Sequence, residues 1–327
     1  MKKTFKWIIR ILVAIVLAIT IFLSAFALVE RITFFSFYKN SQRYHKIPAL
    51  SEGYVAQGYC LVEDRDFRLS CGYMNDGTSS RIYVIPDDGS DVKKVIMKKD
   101  DGSNYDGHTG GIAVMGDFVY VTGKTGCDVF SLTDILDGDG QATQISEVKT
   151  INDPAYCYVE DNILYAGSFY REGNYETPEE HRLISPAGDS NMAIISAYAL
   201  DPSTGGTYSD VPNLIISTTS LAQGMALVGG DKIAISTSYG ISKSHIYVYD
   251  LTKAAADEKG FDVSGVTVPL LYLDSSCLVD DIIAPPMAEQ IIYDDGVIYI
   301  MNESASNKYI FGKLTSGAYV YGYSYAK

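Results

Sequence analysis

One segment in the middle of the chain carries side chains suited to ligand binding or proton transfer. Residues 169–181 read FYREGNYETPEEH and combine carboxylates, a guanidinium, an imidazole and two phenols. Polar-ligand pockets use these groups. The candidate ligand-binding residues of this segment are Tyr170, Arg171, Glu172, Tyr175, Glu176 and His181. The alternative is a solvated surface loop whose charges only keep the chain soluble.

Further polar residues stand next to apolar segments elsewhere in the chain. The ligand-binding candidates among them are Gln57, His108, Asp153, Gln223, Tyr239, Glu289 and Asn302. Carboxyl and imidazole groups exchange protons near neutral pH, and the acid–base candidates are Glu289, Glu172, His108 and His181. Clustering of Glu172, Glu176 and Glu289 would raise the pKa of at least one of them by like-charge repulsion.

No motif indicates a metal or a cofactor. The four histidines, at 45, 108, 181 and 245, show no HxH or HxxxH spacing. The sequence contains no GxSxG, P-loop or GxGxxG pattern. Five cysteines, at 60, 71, 127, 157 and 277, include no CxxC pair and cannot all form disulfides. We expect buried thiols, the alternative being one disulfide between Cys60 and Cys71.

A repeated pattern positions these candidates. A small or polar residue, an apolar strand, a tight polar turn and a second apolar strand recur five times. The copies open at Gln57-Gly58, Gly110-Gly111, Pro154-Ala155, Gln223-Gly224 and Glu289-Gln290, which are 53, 44, 69 and 66 residues apart. The turns contain Asp, Gly or Asn, which tolerate the positive φ of hairpin turns.

Further strands after each pair predict four-stranded units. The expected fourth strands include Val268–Leu273, and the last unit is expected to use Tyr309–Leu314 and Ala318–Tyr325. Four-stranded units at this period are typical of propeller blades, and two stacked sheets would not need five equivalent openings. The sequence predicts an all-β fold, a five-bladed β-propeller with six blades as the alternative. The candidate residues then lie on one face of it.

The N-terminus predicts a membrane anchor. The nineteen residues Ile11–Val29 carry no charge, enough for a helix to cross a hydrocarbon core of about 30 Å. Four basic residues precede them, which favours a cytoplasmic N-terminus and an extracytoplasmic remainder. The alternative is a signal peptide cleaved after Ala27, which would make the protein secreted. The expected regions are a basic tail (1–10), the anchor (11–29), a juxtamembrane stalk (30–50) and the propeller (51–327).

The charge of the chain excludes one class of partner. The net formal charge is −14, and residues 1–31 carry +4, which leaves −18 for the remainder. Nucleic-acid binding needs clustered Lys and Arg, so we expect no nucleic-acid partner. The expected partners are the lipid bilayer and an extracellular ligand or protein.

Several longer stretches resemble a family of uncharacterised bacterial β-propeller proteins that are secreted or membrane-anchored. They include DGHTGGIAVMGDFVYV, DPAYCYVEDNILYAGSFY and QGMALVGGDKIAISTSYG. A more distant likeness, to glutaminyl cyclases of the plant and bacterial type, rests on Gln223-Gly224 with the segment 236–240, and on Glu289 at a strand entry. The tryptophans of that family are missing, because the only tryptophan is Trp7.

These observations are compatible with two functions that belong to different classes. The first is a membrane-tethered module that binds a ligand or a protein. The second is an extracellular enzyme acting on a peptide or glycan, for which the second resemblance implies a cyclase-like acyl transfer and the residues alone equally allow a hydrolase or lyase.

Overall fold

The computed structural model describes residues 2–309, 312–315 and 317–326. Five antiparallel four-stranded units form the blades of a five-bladed β-propeller, so the predicted fold is confirmed, and further strands extend the sheets of blades 1 and 3. The innermost strand of each blade contacts that of the next, and the fifth contacts the first, which closes the ring.

The strands of each blade are given from the axis outwards. Blade 1 contains Tyr54–Leu61, Phe67–Met74, Arg81–Pro86 and Lys93–Lys98. Blade 2 contains Ile112–Met115, Phe118–Thr122, Gly126–Ser131 and Ser146–Lys149. Blade 3 contains Tyr156–Glu160, Ile163–Gly167, Ala193–Ala199 and Leu214–Thr218. Blade 4 contains Ala222–Val228, Lys232–Thr237, Ser244–Asp250 and Leu278–Ala284. Blade 5 contains Ala288–Asp294, Val297–Asn302, Tyr319–Ser324 and Ser41–Lys46.

The remaining elements are short, apart from the N-terminal helix. The α-helices are Lys2–Thr33, Phe35–Lys39 and Leu132–Asp137. The 3-10 turns are Leu50–Glu52, Glu179–His181 and Gly312–Leu314. Gln141–Thr143 pairs in parallel with the outer strand of blade 1, and Leu270–Tyr272 pairs in parallel with that of blade 3 and antiparallel with Ala255–Ala256. Two small hairpins are Leu183–Ile184 with Ser190–Asn191 and Phe261–Val263 with Val266–Val268.

The hairpin turns follow from their residue types. Two consecutive residues with positive φ occur in three turns between first and second strands: Asp161-Asn162, Gly229-Gly230 and Asp295-Gly296. The pairs in blades 3 and 5 form two-residue loops, as in type I′ turns, and Gly229-Gly230 belong to a three-residue loop. Side chains from facing blades form the hydrophobic core between them, and all five cysteines are free and buried.

The outer strands of blades 4 and 5 differ from the expected ones. The fourth strand of blade 5 is Ser41–Lys46, which pairs antiparallel with the third strand, Tyr319–Ser324. The segment expected as the stalk, 30–50, therefore contributes a strand to the propeller. Of the expected strand Tyr309–Leu314, residues 310 and 311 lie outside the described residues, and Gly312–Leu314 form a 3-10 turn.

The expected outer strand of blade 4 also lies elsewhere. Of the segment Val268–Leu273, Leu270–Tyr272 joins the edge of blade 3, and Leu278–Ala284 closes blade 4. The segment 278–284 contains Asp280 and Asp281, which hide its alternating apolar pattern. An outer edge strand tolerates such charges because one side of it faces solvent.

One side chain fills the centre of the ring. Gln290 is fully buried and accepts hydrogen bonds from the backbone N–H groups of Tyr59 (3.1 Å) and Ile112 (2.9 Å). Its amide nitrogen donates to the backbone oxygens of Ile112 (2.8 Å) and Cys157 (2.9 Å). Gln290 of blade 5 thus connects blades 1, 2 and 3 at the axis.

The N-terminal helix is long and apolar enough to span a membrane. Its candidate span is Thr4–Thr33, with a mean hydropathy of 2.9 in its most apolar window. An N-terminal signal sequence would have the same properties.

Candidate functional site

A cavity of about 900 Å³ lies at the end of the axis where the innermost strands begin. We call this end of the propeller the cavity face. Eight of the predicted ligand-binding residues line the cavity: Gln57, His108, Asp153, Tyr175, Glu176, Gln223, Tyr239 and Glu289. Tyr170, Arg171, Glu172, His181 and Asn302 do not line it. The cavity is also lined by Tyr73, Lys308 and Tyr309, and by Lys124 and Glu303, which lie in the loops after the second strands of blades 2 and 5.

Local strand geometry directs three of these side chains into the cavity. Gln57, Gln223 and Glu289 occupy positions where the register of the innermost strand shifts against its neighbour, as in a β-bulge. A bulge leaves a residue outside the regular ladder and re-aims its side chain. The bulges therefore explain why buried inner strands present polar groups at the axis.

The glycine after each glutamine has a separate role. A Cβ at Gly58 would lie 2.9 Å from the backbone nitrogen of Ile112 in blade 2. A Cβ at Gly224 would lie 2.7 Å from Cα of Gln290 in blade 5. Both contacts are too close for a side chain, so these glycines allow neighbouring blades to approach at the axis.

The strongest chemical feature of the cavity is a pair of glutamates from blade 5. The Glu289 side chain is buried and lies within hydrogen-bonding reach of Glu303. Gln57 donates a hydrogen bond to Glu303 Oε2 (2.8 Å), and the Tyr309 hydroxyl donates to the same oxygen (2.9 Å). The backbone oxygen of Glu289 accepts a hydrogen bond from Ser236 of blade 4 (2.7 Å), which fixes the bulge.

Burial controls the protonation of this pair. Loss of water and the neighbouring Glu303 raise the pKa of Glu289 well above its ordinary value. Burial also raises the pKa of Glu303, against the hydrogen bonds from Tyr309 and Gln57, which lower it. Both shifts favour retention of a proton by the pair, and the shift is larger at Glu289. Such a pair can bind a polar group or transfer a proton.

A lysine and two tyrosines form the adjacent wall. Lys308 Nζ donates a hydrogen bond to the Tyr73 hydroxyl and lies 4.7 Å and 5.2 Å from the ring centres of Tyr73 and Tyr309. The His108 ring, exposed to the cavity, lies 4.7 Å from the Tyr73 ring. Partial loss of hydration inside the cavity and, after it, the Lys308 charge lower the pKa of His108. His108 is therefore neutral at pH 7 and can donate or accept a hydrogen bond.

Some residues of the charged loop of blade 3 line the cavity, and others lie outside it. Tyr175 and Glu176 line the cavity, and Arg182 holds Glu176 through an ion pair of 3.0 Å. The Arg171 guanidinium lies 3.9 Å from the Tyr239 ring, so it joins the loops of blades 3 and 4 at the rim. Glu172 is exposed outside the cavity.

Three other candidates support the fold. Tyr170 is buried, and the Arg182 guanidinium lies 5.2 Å from the centre of the Tyr170 ring. His181 is buried 6.0 Å from the Phe261 ring, where burial lowers its pKa. Asn302 is buried and donates to the backbone oxygens of Ile300 (3.3 Å) and Tyr319 (3.4 Å). The four acid–base candidates therefore do not converge: Glu289 and His108 share the cavity, whereas Glu172 and His181 lie outside it.

Glu303 is the partner that sequence reasoning missed. It follows the second strand of blade 5, in the same loop as Asn302, and that loop position was its only signal. No group of three His, Cys, Asp or Glu side chains is placed to hold a metal ion among residues 2–309, 312–315 and 317–326.

The sequence matches no protein-family model and no curated protein. Its fold is similar to those of several solved propeller structures. The PQQ-bound aldose sugar dehydrogenase of Streptomyces coelicolor has 10% identity and a TM-score of 0.47, over 86% of this chain and 96% of the other. The glutaminyl cyclase of Myxococcus xanthus has 8% identity and a TM-score of 0.39, over 80% and 91%. A Bacteroides thetaiotaomicron protein of unknown function has 14% identity and a TM-score of 0.38, over 86% and 70%. Similarities this distant carry no information on function.

Proposed function

We propose that the protein is a membrane-anchored, extracytoplasmic β-propeller that binds a small polar ligand in the cavity at its axis. The observation that carries this proposal is the placement of polar side chains from different blades around one cavity, with Gln57 and Glu303 joined across blades 1 and 5. Amide and carboxyl groups fix the orientation of a polar ligand, and tyrosine rings provide surfaces for stacking.

The test is a ligand screen on the full-length chain in lipid nanodiscs. The panel contains amino acids, short peptides, monosaccharides and oligosaccharides, and the readout is the rise in melting temperature. Gln223→Ala alters a cavity residue and should abolish the shift produced by any hit. Glu172→Ala alters an exposed residue outside the cavity and should leave that shift unchanged. Equal shifts in both variants would place the binding site elsewhere.

The anchor and the location belong to the same proposal. Helix Lys2–Thr33 would hold the chain in the membrane with its N-terminus in the cytoplasm. Protease added to spheroplasts should then digest the propeller and leave the first residues protected. A mature chain that starts at Leu28 would instead show cleavage of a signal peptide.

An acid–base enzyme acting on a peptide or glycan is the second candidate. The proton-sharing pair Glu289–Glu303 favours it, because a carboxylic acid beside a carboxylate can donate and accept protons in one reaction. Mass spectrometry of the same panel after incubation with the protein would reveal turnover. Glu289→Gln should stop turnover and retain binding, whereas unchanged turnover would reject this role for the pair.

A further inference from the structure

The N-terminal helix packs onto the propeller along one side. Phe26 is partly buried, and Glu30, Phe34 and Phe37 are buried, while residues 27–29 between them are exposed. Phe26 and Glu30 are four residues apart and share one face of the long helix. Phe34 and Phe37 continue this stripe into the short helix Phe35–Lys39, because the backbone hydrogen bonds from Phe34 to Glu30 and from Tyr38 to Phe34 keep the helical spacing through the junction. At about 1.5 Å per residue, this stripe covers about 16 Å, similar to the height of a blade. A contact of this length orients the helix relative to the propeller.

The direction of the helix follows from the contacts at its two ends. Phe37 packs against Tyr321 and Tyr323, at ring distances of 5.6 Å and 5.9 Å. Tyr323 pairs with Ser41, at the end of blade 5 opposite the cavity. The long helix, which precedes Phe37 in the chain, contacts the turn Gly312–Leu314, which belongs to the loop that carries Lys308 and Tyr309 at the cavity.

The chain therefore runs down the side of blade 5 from the cavity face to the opposite face. It turns at Asn40 and returns as the strand Ser41–Lys46. The part of the helix before Phe26 extends beyond the cavity face. The uncharged run begins at Ile11, so most of it lies on the same side as the mouth of the cavity.

Exposed apolar side chains lie on the loops of this face. Tyr175 and Ile184 of the blade 3 loop are 58% and 65% exposed, and Tyr239 and Ile241 of the blade 4 loop are 39% and 72% exposed. We call these four residues the rim. Transfer from water to a lipid surface is favourable for tyrosine and isoleucine side chains, because their apolar parts leave water while the tyrosine hydroxyl stays hydrated.

We infer that the cavity face rests on the outer surface of the bilayer that the helix spans, with the rim in the interfacial layer. This inference rests on the proposed membrane anchor. The absence of a long linker supports it, because Phe34 and Phe37 are already part of the core between blades 4 and 5. A ligand would then reach the cavity through the headgroup layer.

The single tryptophan allows a direct test. In a Trp7→Phe background, Ile241→Trp places a fluorophore on the rim. Tyr208→Trp places a matched one at a residue that is 69% exposed, in the loop between the third and fourth strands of blade 3 on the opposite face. Each full-length variant is reconstituted into phosphatidylcholine vesicles with brominated acyl chains, which quench tryptophan fluorescence on contact.

We expect position 241 to lose most of its emission relative to unbrominated vesicles and to shift to shorter wavelength. Position 208 should keep its emission. Equal quenching at both positions, or quenching at 208 alone, would overturn the inference.

The unmodified chain tests the insertion of the helix separately from the orientation of the propeller. Its own Trp7 lies near the start of the apolar run and should be quenched if the helix inserts. Quenched Trp7 with unquenched position 241 would reject the orientation and keep the anchor. Unquenched Trp7 would reject the anchor and the orientation together.

Discussion

The carboxyl group of Glu289 lies within hydrogen-bonding reach of the carboxyl group of Glu303 in the cavity at the propeller axis. Both residues come from blade 5, one from the bulge in its innermost strand and one from the loop after its second strand. Because the pKa values of both carboxyl groups are raised, the charge of this pair changes with pH.

The first prediction concerns pH. Because the pKa values of both glutamates are raised, the folded chain keeps a proton that the unfolded chain has released above the ordinary glutamate pKa. The contribution of the pair to the unfolding free energy is therefore present at low pH and decreases as pH rises towards the raised pKa values. Glu289→Gln cannot release this proton, so its melting temperature should fall less steeply between about pH 5 and 9. Glu172→Gln, at an exposed residue, should follow the wild-type profile, and a parallel profile for Glu289→Gln would contradict the prediction.

The second prediction concerns the axis. Gln290→Met keeps the approximate volume of the side chain but leaves four buried backbone groups without partners. Unpaired buried groups each cost about 1–3 kcal/mol, so we expect a loss of at least about 3 kcal/mol in unfolding free energy. Gln223→Met, at a half-buried bulge position, should cost less than about 1 kcal/mol. Urea unfolding followed by tyrosine fluorescence would compare them, and similar losses in both variants would contradict this role of Gln290.

The third prediction concerns the junction between helix and propeller. Phe37 is 2% exposed, and Phe35 on the same short helix is 65% exposed. Phe37→Ala removes a buried ring and should lower the unfolding free energy by about 3–5 kcal/mol. Phe35→Ala should change it by less than about 0.5 kcal/mol in detergent micelles. If both changes are small, the helix does not contribute to the stability of the propeller.

The fourth prediction concerns the wall formed by Lys308. Its positive charge lowers the pKa of His108, so Lys308→Met should raise that pKa. Proton NMR of the His108 ring during a pH titration measures the change directly. His45 is the internal control: its pKa is lowered by burial and by Arg68, and it should not move. An unchanged or lower pKa of His108 in Lys308→Met would contradict this interaction.

Local patterns in the sequence were sufficient to predict the blades. The five openings, the alternating apolar strands and the positive-φ turn residues act over a few residues, so they are readable along the chain. The same patterns placed Gln57, Gln223 and Glu289 at strand entries, where the structure has bulges that point into the cavity. They could not identify the outer strands of blades 4 and 5, because edge strands contain more charged residues and show a weaker alternation of apolar residues.

The closure of the ring of blades determined the fourth strand of blade 5 and the contacts between blades. The strand Ser41–Lys46 completes blade 5 only because both ends of the chain meet there, and no local pattern distinguishes it from a stalk. Gln57 and Glu303 are separated by 246 residues, and Gln290 and Ile112 by 178. A hydrogen bond between such residues depends on how five blades close around an axis. The sequence alone thus determined the repeating unit, and only the tertiary structure brought Gln57 to Glu303 and Gln290 to the axis, because those contacts exist only in the closed ring.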